Sequence, residues 1–94
     1  MNIGFIGTGL MGAPMIKNLL KSKHQISIFN RTISKAKKLK KYGAYLSYKI
    51  EELVKDKEII ITMLTDDKAV KDIIRSKTFL NNVCKETTVI DMSS

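Results

Sequence analysis

The chain has 94 residues, a hydrophobic fraction of 44%, and 17 Lys and Arg against 9 Asp and Glu, for a formal net charge of +8. That length admits one domain with a thin stability margin, and no run of about 18 apolar residues is present to span a membrane. The single cysteine, Cys84, excludes an internal disulfide, and with the lone His24 it makes no ligand cluster, so no metal is expected.

The apolar residues at the start are broken by Gly4, Gly7 and Gly9, which describes a buried strand and a loop rather than a signal peptide. A cytoplasmic, reducing compartment is the simplest expectation. Asn2 to Gly7 reads as the first strand. Leu10 to Ser22 follows as a helix, with Gly12, Met15, Ile16, Leu19 and Leu20 on one face and Pro14 expected near its first turn. Gln25 to Asn30 is a second strand carrying Ile26, Ile28 and Phe29.

Thr32 is placed to cap a helix reaching about Tyr42, and Gly43 to end it. A short strand over Ala44 to Ser47 precedes a short helix over Lys49 to Lys55, with Ile50, Leu53 and Val54 inward. Glu58 to Leu64 is a continuous apolar run typical of a strand covered on both faces. Asp66 or Asp67 then caps a helix with Val70, Ile73 and Ile74 as its stripe, and Thr87 to Met92 makes a last strand around Val89 and Ile90. Strand and helix alternate throughout, which predicts an α/β fold: one doubly wound Rossmann-type unit with a parallel sheet of about five strands spanning residues 1–94.

Gly7-Thr8-Gly9-Leu10-Met11-Gly12 matches G-x-G-x-x-G between the first strand and the first helix. The first glycine permits a tight turn, the second a close approach of backbone to a pyrophosphate, and the third close packing of helix on strand. The helix N-terminus offers free N–H groups and a partial positive charge to phosphates. A dinucleotide is the expected ligand. About 18 residues on, where an NAD-binding unit usually carries a carboxylate for the ribose hydroxyls, the chain has Asn30-Arg31-Thr32. Nothing there repels a 2′-phosphate, Arg31 and Thr32 can hold one, and Lys35 lies a helical turn away. NADP is expected in preference to NAD.

Lys35, Lys37, Lys38, Lys40 and Lys41 surround a narrow apolar stripe of Ile33, Ala36 and Leu39. A solvated helix face accounts for them, with some charge steering the anionic dinucleotide. Nucleic acid is disfavoured as a partner, because no aromatic residues interleave with these lysines and no binding motif is present.

The run Phe5-Ile6-Gly7-Thr8-Gly9-Leu10-Met11-Gly12-Ala13-Pro14-Met15, followed by Asn18-Leu19, resembles the β-hydroxyacid dehydrogenases. This family includes 3-hydroxyisobutyrate dehydrogenase, tartronate semialdehyde reductase and the more distant 6-phosphogluconate dehydrogenase. Asn30-Arg31-Thr32 is similar to its NADP-type turn, Met63-Leu64-Thr65-Asp66 to a stretch lining its cofactor pocket, and Asp91-Met92-Ser93-Ser94 to its D-x-S-[ST] segment. The resemblance implies that Met63, Leu64 and Thr65 contact the cofactor, that Ser93 holds a substrate carboxylate, and that Ser94 lies near the nicotinamide.

Family members continue with a sixth strand, a long helix and an all-helical domain carrying the catalytic lysine. No lysine here matches that motif. The expectation is therefore the NADP-binding part of an oxidoreductase acting on small 3-hydroxyacids or semialdehydes, inactive alone, with substrate bound only in a full-length form. The alternative is a non-catalytic nucleotide-binding or interaction module, such as a remnant of a decayed gene, self-associating through an uncovered sheet edge at Val89 and Ile90. Lys23 stands where the family usually has a helix-ending glycine, so strain is expected if that position needs a positive φ. Ser76-Lys77-Thr78 stands where the family tends to have a glycine turn.

Overall fold

A computed structural model describes residues 1–7, 9–30, 33–63, 72–73 and 75–92, without the side chains of 9–13 and 33–36. In chain order its elements are β1 (Asn2–Ile6), α1 (Gly9–Lys21), β2 (Gln25–Phe29), α2 (Ile33–Lys40), β3 (Tyr45–Leu46), α3 (Ile50–Val54), β4 (Ile59–Thr62), α4 (Lys77–Asn82) and β5 (Thr88–Asp91). The five strands form one sheet in the order β3-β2-β1-β4-β5, with every pairing parallel. The chain winds outward from β1 to β3 and then returns to the other side of β1, so the topology reverses between β1 and β4. The α/β class and the five-stranded parallel sheet are as the apolar pattern predicts.

Side chains alternate across each strand, so the sheet builds a core on both faces. Ile3, Phe5, Ile26, Ile28, Ile61 and Met63 pack with Ile16 of α1 and Leu39 of α2 on one face. Ile6 and Ile60 pack with Leu53, Val54 and Phe79 on the other, beneath α3 and α4. Phe5, Ile6, Ile16, Ile26, Ile28, Leu53 and Ile60 retain no exposed surface. Burial of each such side chain contributes roughly 1.5–3 kcal/mol. Gly4 opens the second face to α3: a Cβ there would lie 3.1 Å from Cδ2 of Leu53.

Several local features differ from the sequence reading. Helix α1 begins at Gly9, which puts Pro14 in its second turn rather than its first. A ladder N–H is therefore missing inside the helix, at a position the apolar periodicity alone does not locate. Helix α1 ends in a Schellman arrangement: the Lys23 N–H donates to the carbonyl of Leu20 at 3.1 Å and the His24 N–H to that of Leu19 at 3.4 Å. Lys23 takes the left-handed conformation this requires, with φ 64°. Gly43 supplies the corresponding positive φ of 104° after α2.

Helix α4 is not predicted by the apolar pattern. Ser76 caps it, its Oγ accepting from the N–H of Phe79 at 3.2 Å and donating to the carbonyl of Ile73 at 2.7 Å. Its apolar residues Phe79 and Leu80 are adjacent and too few to show a helical repeat, so only the capping serine signals it. The helix expected from Asp66 or Asp67 lies mostly outside the described residues. Among the described residues no helix is long and apolar enough to cross a membrane, and no cluster of His, Cys, Asp or Glu is arranged to hold a metal.

Candidate cofactor site at the carboxyl edge of the sheet

In a parallel sheet every strand delivers its following loop to the same edge. Backbone hydrogen bonds continue past the strand ends and hold these loops together. The Gly7 N–H donates to the carbonyl of Phe29 at 2.7 Å, the Met63 N–H to that of Ile6 at 2.8 Å, and the Met92 N–H to that of Thr62 at 2.9 Å. The segments beginning at Gly7, Asn30, Met63 and Met92 therefore leave side by side from four neighbouring strands. This is the carboxyl edge at the topological switch point, where open α/β sheets bind ligands.

Gly7 is buried and has φ 83°, a conformation that disfavours a side chain. Two residues later α1 begins, with Gly9, Leu10, Met11 and Gly12 forming its first turn. The chain thus turns sharply out of the central strand and aims a helix N-terminus along the edge, as a pyrophosphate requires. Asn30 follows the end of β2 and is half-buried. Lys35 belongs to the first turn of α2. Met63 follows β4, but its side chain is 7% exposed and packs in the core, so its backbone is what it presents at the edge. Thr8, Arg31, Thr32, Leu64, Thr65, Ser93 and Ser94 lie outside the described residues.

One side chain at this edge carried no sequence motif. Thr62 ends the isoleucine run of β4, has no exposed surface, and donates from Oγ1 to Oδ1 of Asp91 at 2.8 Å. Its only signal in the sequence is a polar residue closing an apolar strand.

The lysines at the far ends of the helices are arranged differently. Helices α1 and α2 run back from the carboxyl edge, so Lys21, Lys40 and Lys41 sit toward the amino edge, away from the glycine turn. There the Nζ of Lys17 lies 4.6 Å and that of Lys41 5.2 Å from the ring centroid of Tyr42. Hydrogen bonding and charge from Lys17, then the charge of Lys41, hold the Tyr42 phenol below its ordinary pKa.

Comparison with known proteins agrees with this geometry. Glyoxylate/succinic semialdehyde reductase 1 of Arabidopsis thaliana is 36% identical over 95 residues, covering all of this chain and 33% of the relative. Mitochondrial 3-hydroxyisobutyrate dehydrogenase of Drosophila melanogaster is 37% identical over 93 residues, covering 99% of the chain and 28% of that protein. The imine reductase of Myxococcus stipitatus, solved in complex with NADP+, superposes with a TM-score of 0.92 at 26% identity, over the whole chain and 32% of the reductase. The chain spans between 17% and 33% of the length of the curated relatives it matches. Residues 2–94 match the family described as the NAD binding domain of 6-phosphogluconate dehydrogenase, and the chain belongs to that family as an NAD(P)-binding domain of the hydroxyacid dehydrogenase type.

Proposed function

We propose that residues 1–94 form a domain that binds NADP(H) for a dehydrogenase acting on small 3-hydroxyacids or reducing the matching semialdehydes. The carrying observation is the convergence of the Gly7, Asn30, Met63 and Met92 segments on one sheet edge, with the N-terminus of α1 beside the positive-φ glycine. The dinucleotide straddles β1, with its pyrophosphate on the backbone from Gly7 to Gly12. Its adenosine lies toward β2, where Arg31 and Thr32, with Lys35 nearby, hold the 2′-phosphate. The nicotinamide half lies toward β4 and β5, beside Leu64, Thr65 and Ser94.

Bound nicotinamide supplies or accepts hydride at the substrate carbon. This chain's part is to hold and orient it, while Ser93 engages a substrate carboxylate. The proton-transferring lysine comes from a helical part outside these residues, and the 94 residues alone do not turn over substrate. The names of the relatives in Arabidopsis and Drosophila support the substrate class.

Calorimetry with NADPH and NADH, beside an Arg31→Ala variant, tests the cofactor assignment. NADPH is expected to bind tighter by about tenfold or more, an advantage of about 1.4 kcal/mol that Arg31→Ala removes. Equal affinity for both nucleotides would overturn the NADP assignment, and no binding by a folded chain would overturn the cofactor reading itself.

A second reading, a non-catalytic module that self-associates, is favoured by the edge strand β5, where Val89 and Ile90 are 38% and 40% exposed. Sedimentation of the wild-type chain and Ile90→Lys tests it. A concentration-dependent dimer abolished by the lysine supports that reading, and a monomer at all concentrations removes it.

A further inference from the structure

We infer that Thr62 is a positioning residue for the nicotinamide half of the cofactor site, acting through the carboxylate of Asp91. This rests on the cofactor reading above and assigns a role to a residue that no nucleotide-binding motif contains.

Thr62 follows Ile59, Ile60 and Ile61, and among the described residues it is the polar side chain buried within the core. Valine would fill the same space without a hydroxyl to satisfy, so the hydroxyl calls for a partner. Asp91 is its register partner on β5, and Thr62 Oγ1 donates to Asp91 Oδ1 at 2.8 Å, a bond strengthened by the carboxylate charge. The same residue's carbonyl accepts from the Met92 N–H at 2.9 Å. Thr62 therefore grips the end of β5 by side chain and main chain together.

The grip matters because it falls at the last residue of β5, at the opposite end from the bonds that tie the strand's start, where the Thr88 N–H donates to the carbonyl of Glu58 at 2.9 Å and Thr87 Oγ1 to that of Lys57 at 2.6 Å. Among the described residues β5 pairs with β4 alone and lies at the sheet edge, and all four of its residues are exposed. With its side chains this exposed, the bonds across to β4 are what the described residues offer to fix where its last residue sits. The Thr62–Asp91 bond takes that role at the point where the chain leaves the sheet toward Ser93 and Ser94. Adenosine, bound toward β2, lies on the other side of β1 and does not depend on this bond.

The asymmetry supplies the test. NADPH reaches β5, whereas 2′,5′-ADP carries the phosphorylated adenosine alone and does not. Both are titrated by calorimetry into wild type, Thr62→Val, Thr62→Ser and Asp91→Ala, with melting temperatures measured in parallel. Asp91 is exposed, so its alanine variant folds even if Thr62→Val does not. Thr62→Val and Asp91→Ala are expected to weaken NADPH about tenfold and leave 2′,5′-ADP unchanged, with Thr62→Ser restoring most of the loss. Unchanged NADPH affinity in Asp91→Ala, or equal losses for both ligands, would overturn the inference. If wild type binds neither ligand, the cofactor reading fails first and this role falls with it. If wild type binds both, that reading stands and the variants alone decide the role of Thr62.

Discussion

The N–H of Gly7 donates to the carbonyl of Phe29 at 2.7 Å, tying the turn that leaves the central strand to the end of its neighbour. The glycine at this junction has φ 83°, and the bond fixes how far the glycine turn lies from the segment after β2. In the proposed site, that separation sets the distance between the pyrophosphate and the adenosine ribose.

Gly7→Ala tests this junction. An alanine held at positive φ is expected to destabilise the fold by about 1–2 kcal/mol. If the turn relaxes instead, melting is little changed and the nucleotide site distorts. NADPH affinity therefore falls at least tenfold in a protein that remains folded at 10 °C, as calorimetry and far-UV circular dichroism would read together. Wild-type affinity in the alanine variant would show that the turn does not set the phosphate site.

Lys23 is the opposite case, a side chain where the backbone favours none. Its φ of 64° closes α1 through the bonds to Leu20 and Leu19, and the residue itself is exposed. Lys23→Gly is expected to relieve this strain and stabilise the chain by about 0.5–1 kcal/mol, net of the glycine's greater freedom when unfolded. In a domain of this size that raises the melting temperature by about 2–8 °C. A lower melting temperature would mean that the lysine makes compensating contacts.

Tyr42 gives the pH-dependent prediction. Lys17 first, and Lys41 after it, lower its phenol pKa from the ordinary 10.0. Because the folded-state value is depressed, the phenolate is favoured in the fold. The contribution to stability appears as pH rises through the lowered value toward 10.0, and is lost as pH falls below it. Lys17→Met is expected to move the titration upward, as NMR of ring-labelled tyrosine would record. An unmoved titration would exclude Lys17 as the main cause.

Much of the fold was legible because it is local. The alternating isoleucines of β2, the continuous isoleucine run of β4 and the apolar face of α1 write strand and helix into the chain. The glycine turn announces where the first strand hands over to the first helix. Helix α4 is not legible in the sequence because six residues with two adjacent apolar positions show no period, and its stability comes from the Ser76 cap and the burial of Phe79. Helix α1 starts at Gly9, one residue before the expected Leu10, because periodicity locates a helical face better than a helical start.

The sequence by itself determined the α/β class, the parallel sheet, the glycine turn and the absence of a carboxylate after β2. Only the tertiary structure decided the order β3-β2-β1-β4-β5, and with it the pairing of Thr62 with Asp91, 29 residues apart in the chain. Side-chain periodicity is set by each strand's own backbone, whereas neighbours are chosen by how whole units pack. A local pattern carries no record of which strand lies beside which.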